Sequence, residues 1–282
     1  MELIMNIVTY NGTPILYTEG PSEPTWETKT WNGYTSFVGN GIWTDGENIY
    51  CSNGSSQYTL DKATSTWSAK TWYGLTRFYG TDVWTDGENI YCSNGSSQYV
   101  LNKATSTWSA KTWYGLTNFN GRYVWTDGEN IYYSWDSSQY VLNKVTSTWS
   151  AKTWYGLTNF RRNYIWTDGE NIYYSVGTSQ YVLNKATSTW SAKTWNGITN
   201  FNGMYVWRDG ENIYYSEDTS QYVLDKATST WSAKTWNGLT LFFADYIWTD
   251  GENIYYSGLY GAQYVLNKAP TSPSFAIYYK PR

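Results

Sequence analysis

Short runs rich in Tyr, Trp, Ile, Val and Thr alternate with turns rich in Gly, Asn, Asp and Ser along almost the whole chain. These runs lack the 3.6-residue spacing of a helix. Because β-branched and aromatic residues suit a pleated, buried surface, the runs predict short β-strands. One stretch predicts four of them, which we name strands A to D, at 123–126, 130–134, 139–143 and 148–154. The pattern therefore predicts an all-β fold.

The four strands recur with a period of 41 residues. The tetrad Asp-Gly-Glu-Asn, which predicts a hairpin turn between strands A and B, begins at Asp45, Asp86, Asp127, Asp168, Asp209 and Asp250. Four antiparallel strands in such a unit are typical of a β-propeller blade. A lone blade cannot bury both of its faces, whereas blades stacked in a ring bury both. Residues 1–282 are therefore predicted to form a single β-propeller domain.

The number of blades depends on how the two ends of the chain are used. A tryptophan in strand D marks six units, at Trp26, Trp67, Trp108, Trp149, Trp190 and Trp231. Near the N-terminus, 6–12, 14–18 and 25–31 fit strands B, C and D of a blade without a strand A. A C-terminal strand at 274–280 would join these N-terminal strands and close a ring of seven blades, the favoured count. The alternative has six blades, with 274–280 as strand D of the sixth.

One part of the unit resembles the kelch repeat. The run from Val100 to Trp108 follows that family's stretch of hydrophobic residue-Tyr-Asp-Pro-x-Thr-x-x-Trp, with Leu101 where Tyr is usual, and Ile90-Tyr91 matches the aromatic pair of its second strand. The family's Gly-Gly doublet is replaced by varied pairs. The resemblance implies a propeller that receives peptide ligands on one face. The Asn- and Tyr-rich repeats are also similar to propeller repeats in tail or receptor-binding proteins of bacterial viruses.

Composition removes several classes of function. Charged residues are 15% of the chain, the net charge is −4, and no basic run exists, so nucleic acid is not an expected partner. The chain has no histidine, the commonest general base and metal ligand. No nucleotide-binding, nucleophile-elbow or metal-spaced cysteine motif is present. We therefore expect no cofactor, no metal and no enzymatic activity. The remote alternative is a polysaccharide hydrolase or lyase using carboxylates among Asp82, Asp136, Glu217 and Asp245.

The N-terminus and the cysteines give further expectations. The first residues lack the basic start and apolar run of a signal peptide, and no segment has the ~20 apolar residues of a membrane helix. A cytoplasmic or virion-associated location, with no membrane span and a monomeric domain, is therefore expected. Cys51 and Cys92 occupy the same place in neighbouring units. Packed sheets lie ~10 Å apart, too far for a disulfide, so both should be free thiols.

The loops divide into two classes by sequence. Antiparallel pairing places the A–B and C–D turns at one end of the disc and the B–C and D–A loops at the other. The A–B and C–D turns are nearly constant in sequence between units, whereas the B–C and D–A loops vary. We name these the constant end and the variable end. Because changes between repeats commonly map to the binding face, the variable end is predicted to bind the ligand. Alternatively, turn geometry alone keeps the constant turns unchanged.

The predicted ligand is a glycan or a protein receptor. Aromatic and arginine side chains dominate interface energetics, and Asp, Asn and Glu can hydrogen-bond sugar hydroxyls. The candidate ligand-binding residues on the variable end are Tyr79, Asp82, Arg122, Trp135, Asp136, Arg161, Arg162, Glu217, Asp218, Phe243 and Tyr260. The leading hypothesis is a non-catalytic recognition module of a viral tail or a cell-surface assembly. An intracellular kelch-like scaffold for protein–protein interaction is the alternative.

Overall fold

The structure is a computed structural model. It describes residues 6–10, 13–17, 24–34, 41–53, 55–75, 78, 83–117, 119, 124–135, 137–157, 165–203, 205–210, 212–217, 220–239, 247–258 and 262–267. All regular elements in this part of the chain are β-strands. The first two, β1 (Asn6–Tyr10) and β2 (Thr13–Tyr17), form a separate two-stranded hairpin.

Six four-stranded antiparallel sheets form the blades, each with strands A to D in spatial order. Blade 1 comprises β4 (Ile42–Thr44), β5 (Ile49–Asn53), β6 (Ser56–Asp61) and β7 (Thr66–Ala69). Blade 2 comprises β8 (Val83–Thr85), β9 (Ile90–Asn94), β10 (Ser97–Asn102) and β11 (Thr107–Ala110). Blade 3 comprises β12 (Val124–Thr126), β13 (Ile131–Trp135), β14 (Ser138–Asn143) and β15 (Thr148–Ala151).

The remaining three blades repeat the same order. Blade 4 comprises β16 (Ile165–Thr167), β17 (Ile172–Val176), β18 (Ser179–Asn184) and β19 (Thr189–Ala192). Blade 5 comprises β20 (Val206–Arg208), β21 (Ile213–Glu217), β22 (Ser220–Asp225) and β23 (Thr230–Ala233). Blade 6 comprises β24 (Ile247–Thr249), β25 (Ile254–Ser257), β26 (Gln263–Asn267) and, from the other end of the chain, β3 (Thr25–Thr28).

The propeller has six blades, so the favoured count of seven is wrong. The N-terminal strand D does not begin a seventh blade: β3 pairs with β26, where Leu266 lies opposite Trp26. The internal blades have the same register, with Leu142 opposite Trp149. The alternative of six blades has the right number, but it gave strand D of the sixth blade to 274–280. That strand is β3, and 274–280 lie outside the described residues.

Aromatic side chains fill the space between consecutive blades. Each interface joins a strand-A tryptophan, the tryptophan after strand D and the strand-D tryptophan of the next blade. Between blades 1 and 2 the ring centroids of Trp43 and Trp72 are 5.5 Å apart, and those of Trp72 and Trp108 are 5.9 Å apart. Six such clusters join the blades in sequence. One of them packs Trp248 of blade 6 against Trp67 of blade 1, which closes the ring.

The chain also links neighbouring blades along their outer edges. After strand D, each unit continues to the next blade and pairs in parallel with the start of its outer strand, as Tyr114 does with Thr148. Tyr114 donates its N–H to Ser147 O at 3.0 Å, and its carbonyl accepts from Trp149 N at 2.8 Å. The first part of the D–A connection is therefore an outer-edge element and does not belong to the variable end alone.

Both cysteines are buried in the interfaces between blades. Cys51 and Cys92 are free thiols, as expected from their equivalent places in neighbouring units. Burial raises the pKa of the Cys51 thiol to about 12. The two side chains occupy the place where four later units have a buried tyrosine.

Candidate functional site

The A–B turns of the constant end are organised around their aspartate. In the first turn, Asp45 Oδ1 accepts the N–H groups of Glu47 and Asn48 at 3.0 and 2.7 Å, and Oδ2 accepts the Tyr50 hydroxyl at 2.9 Å. Burial alone would raise the pKa of Asp45, but these hydrogen bonds outweigh it and hold the pKa below its usual value. Burial and the neighbouring carboxylate raise the pKa of Tyr50 well above its ordinary range.

The constant turns also bond neighbouring blades to each other. Lys144 in the C–D turn of blade 3 donates from Nζ to the carbonyl oxygen of Asp86 in blade 2 at 2.7 Å. Lys62 of blade 1 makes the same bond, at 3.0 Å, to Asp250 of blade 6. These turns are therefore under a structural constraint. The finding supports the alternative explanation of their constancy and weakens the inference that loop variation alone identifies a binding face.

The variable end displays a different side chain at the same strand position in most blades. The last residue of strand B is exposed or half-buried at Asn53, Asn94, Trp135, Val176 and Glu217. Trp135 is the largest of these side chains, and 41% of its surface is exposed. Trp135 and Glu217 are the two predicted site residues that the structure describes, and they belong to blades 3 and 5. The other nine lie outside the described residues: Tyr79, Asp82, Arg122, Asp136, Arg161, Arg162, Asp218, Phe243 and Tyr260.

A buried polar relay supports the variable end beneath these positions. In blade 1, Ser52 Oγ donates to Gln57 Oε1 at 2.6 Å, and Gln57 Nε2 donates to Phe78 O at 2.7 Å. Blade 4 repeats the relay from Ser175 through Gln180. Because each relay ties the B–C loop to the D–A segment, it holds both parts of the variable end in place.

Among the residues that the structure describes, similar grooves lie at the variable end in blades 1, 2 and 4. Each has a volume of about 340 Å³ and is lined by the start of strand C, the end of strand D and the segment that follows. The linings share Gln, Tyr, Ala, Lys, Thr, Trp and Phe at equivalent positions; in blade 2 they are Gln98, Tyr99, Ala110, Lys111, Thr112, Trp113 and Phe119. Each groove thus combines aromatic side chains with an exposed threonine hydroxyl. In blade 2 the Lys111 ammonium lies 4.7 Å from the centroid of the Trp113 ring and donates to Ser147 Oγ at 2.7 Å, and the buried Gln98 amide donates to Phe119 O at 2.8 Å.

Arg208 is a feature of the constant end that the comparison of loop sequences did not identify. Arg208 replaces the threonine that ends strand A in the other units, and its Nη2 atom lies 3.3 Å from the position that a Cβ on Gly169 would take. A cleft of about 320 Å³ lies nearby between blades 4 and 5, with Asp168, Glu170 and Lys226 in its lining. Aligning strand A together with its turn would have identified Arg208, because it is the one departure from Thr at this position.

Within the described part of the chain, no group of three or more Asp, Glu or Cys side chains is arranged to hold a metal ion. This part also contains no helix of the length and apolar character needed to cross a bilayer.

Comparisons with known proteins leave the family open. No protein-family model matches the chain, and it matches no curated protein. The likeness to kelch repeats and to propeller repeats of viral tails therefore stays a resemblance in short motifs. What the chain has is a single six-bladed β-propeller of four-stranded antiparallel blades.

Proposed function

We propose that this propeller is a non-catalytic recognition module that binds a glycan with repeating sugar units at its variable end. The observation that carries the proposal is the recurrence of the groove, with equivalent linings, in blades 1, 2 and 4. A ligand with a repeating structure can use identical sites at regular intervals around a ring. Linked sites of modest affinity then bind with high avidity.

The lining chemistry suits sugars. Half-buried aromatic side chains such as Tyr99 line the grooves, and Thr112 at the groove margin is exposed. Ligand sites are typically concave and apolar, with a few polar groups that give orientation. The buried relays below the grooves keep the walls in place, which lowers the cost of ordering them on binding.

A second candidate is a protein-binding scaffold, as the kelch resemblance implies. The residues at the end of strand B favour it, because Trp135, Val176 and Glu217 differ in chemistry at one structural position. A ligand without repeating units needs such differences. The viral-tail and intracellular locations both stay predictions.

A glycan array separates the two candidates when two variants are compared. In the first, Thr71, Thr112 and Thr194 become Trp, which blocks the three grooves at exposed positions. In the second, Trp135 becomes Ala. We expect the wild type to bind a repeating glycan, the groove variant to lose that binding, and Trp135→Ala to retain most of it. Glu88→Gln, at the constant end, is the control and should bind as the wild type does.

The opposite pattern would support the protein scaffold. If no glycan binds, or if blocking the grooves leaves glycan binding unchanged, the glycan proposal is wrong.

A further inference from the structure

Arg208 interrupts a hydrogen-bonding pattern that the other strand-A ends share. In blade 4, Thr167 Oγ1 donates to Asn171 O at 2.8 Å and accepts the N–H of Gly169 at 3.0 Å. The same two bonds are made by Thr44, Thr85, Thr126 and Thr249. An arginine side chain has no acceptor for the N–H bond, so the turn of blade 5 loses a contact that the other turns have.

The turn of blade 5 is also more open than its equivalents. Asp209 is half-buried, whereas the corresponding aspartates of the other five units are buried. The Arg208 side chain is exposed and extends toward blade 4, where Nη2 and Nη1 lie 3.3 and 3.5 Å from the position that a Cβ on Gly169 would take. A substitution that weakens its own turn without a local gain points to a role outside the local fold.

The lysine of the adjacent C–D turn lacks the bond that its equivalents make. In four blades this lysine donates from Nζ to the carbonyl oxygen of the turn aspartate in the preceding blade; these residues are Lys62, Lys103, Lys144 and Lys185. Lys226 is the equivalent residue of blade 5, and it makes no hydrogen bond or ion pair with any residue that the structure describes. Its side chain lines the cleft of about 320 Å³ between blades 4 and 5.

Arg208 is likewise without a hydrogen-bond or ion-pair partner among the described residues. The carboxylates closest to the two cations belong to the turn of blade 4, at Asp168 and Glu170. Asp168 is already satisfied within its turn, because the N–H groups of Glu170 and Asn171 donate to it at 2.9 and 2.7 Å and the Tyr173 hydroxyl at 2.8 Å. An arginine and a lysine therefore border one cleft with their donors available.

A third cation is fixed in the wall of the same cleft. Lys193 donates from Nζ to Ser229 Oγ at 2.6 Å, and its ammonium lies 4.6 Å from the centroid of the Trp195 ring. Three cations and two carboxylates thus surround this cleft, although the chain as a whole has a net charge of −4. Between blades 2 and 3, Thr126 stands in place of the arginine and Lys144 is bonded, so that interface lacks the same excess of positive charge.

We propose that the cleft between blades 4 and 5 binds a phosphate or sulfate group, either as the free ion or as the charged end of a larger ligand. The guanidinium of Arg208 offers a planar fork of N–H donors that matches such an oxyanion, and Lys226 adds a point charge. A phosphate group carries about two negative charges at neutral pH and three acceptor oxygens, so it can accept from both side chains. A carboxylate has one charge and gains less from two cations. The site is at the constant end and does not rest on the glycan grooves.

Calorimetric titration of the full chain with inorganic phosphate tests the proposal, at low ionic strength where exposed charges are least screened. We expect one phosphate per chain. Arg208→Thr introduces the residue that the other five units have, so the variant should fold. Its dissociation constant for phosphate should be at least about tenfold higher, since a hydrogen bond to a charged group is commonly worth that much. Lys226→Gln should weaken binding to a similar degree.

Two further variants separate a built site from general attraction between charges. Lys144→Gln removes the same charge from the equivalent turn of blade 3 and should bind phosphate as the wild type does. Glu170→Gln removes a carboxylate from the cleft wall and should bind phosphate more tightly, because it relieves repulsion between like charges.

The choice of titrant separates the two sources of the anion. Glucose 6-phosphate that binds more tightly than inorganic phosphate, with glucose alone not binding, would identify a phosphate ester as the ligand; equal binding would identify the ion itself. Acetate should bind more weakly than either. A wild type that binds neither phosphate nor glucose 6-phosphate, an Arg208→Thr variant that binds phosphate as tightly as the wild type, or equal weakening by Lys144→Gln and Lys226→Gln would overturn the proposal.

Discussion

Gly115 and Gly128 have similar positive φ angles, 84° and 92°, but different surroundings. A Cβ on Gly115 would lie 2.0 Å from the carbonyl oxygen of Trp149, whereas a Cβ on Gly128 would meet nothing within 4 Å. Gly115 allows the chain after strand D to approach the next blade closely. The close approach depends on a partner strand in the next blade, which the local sequence pattern does not reveal.

This difference gives a matched pair of substitutions. Gly128→Ala should cost about 1 to 2 kcal/mol, the strain of an L-residue in the left-handed region. Gly115→Ala should cost more than about 3 kcal/mol, because it adds a clash with backbone to the same strain. Urea unfolding at equilibrium measures both. Equal costs would contradict the tight contact between blades.

The turn aspartates predict how stability responds to acid. The pKa of Asp86 in the folded chain is below the 3.8 of an ordinary carboxyl group, because turn N–H groups and the Tyr91 hydroxyl outweigh the effect of burial. As pH falls, the unfolded chain therefore takes up protons first. The stabilisation is complete above about pH 4 and is lost as pH falls through the folded pKa.

Urea unfolding at a series of pH values tests this. The free energy of unfolding should decrease steadily as the solution is acidified below about pH 4. An Asp86→Asn, Asp127→Asn double variant should show a shallower decrease, since it lacks two of the carboxylates. The same slope in the variant would contradict the assignment.

At the scale of the element, the repeated unit was largely predictable. Strands B and C, the Asp-Gly turn and the strand-D tryptophan were placed close to their observed positions, because alternation and turn residues are local signals. Strand D is shorter than predicted, ending at Ala151 in blade 3, since Trp154 belongs to the segment that runs to the next blade. Its packing partners lie in another blade, and a local pattern does not reveal them.

Two tryptophans of blade 3 allow a side chain packed between blades to be compared with an exposed one. Trp149 is 2% exposed and packs in the cluster between blades 2 and 3, whereas Trp135 is 41% exposed at the variable end. We expect Trp149→Ala to reduce the free energy of unfolding by about 3 to 5 kcal/mol and Trp135→Ala by less than about 1 kcal/mol. A large loss of stability in Trp135→Ala would mean that this side chain is structural.

At the scale of the whole molecule, closure was the feature that the sequence did not determine. The pattern predicted a strand D near the N-terminus. It also showed that the last unit has no strand D of its own directly after strand C. Pairing them requires knowing that β3 and β26 meet, although Trp26 and Leu266 are 240 residues apart. The favoured count of seven came from assigning β3 to a blade with β1 and β2. The meander order of each blade puts the B–C loops at one end of the disc, whereas the D–A connection begins along the outer edge of the next blade. Ligand binding at the variable end stays a prediction, because most of its predicted site residues lie outside the described part.

Because β3 closes the ring, we expect truncation at the N-terminus to disturb thermal unfolding more than truncation at the C-terminus. Removing residues 1–30 should abolish cooperative thermal unfolding, because blade 6 loses its outer strand and the ring opens. Ending the chain after residue 273 should leave unfolding cooperative, with a similar midpoint. The reverse result would favour closure by 274–280.

Recognition through equivalent grooves around the ring is tested most directly by counting bound ligands. Native mass spectrometry would measure how many short oligosaccharides, taken from an array-positive glycan, bind each chain. We predict more than one per chain, and one fewer for each groove blocked by Thr71→Trp, Thr112→Trp or Thr194→Trp. A single bound oligosaccharide whose occupancy is unaffected by all three substitutions would contradict the account.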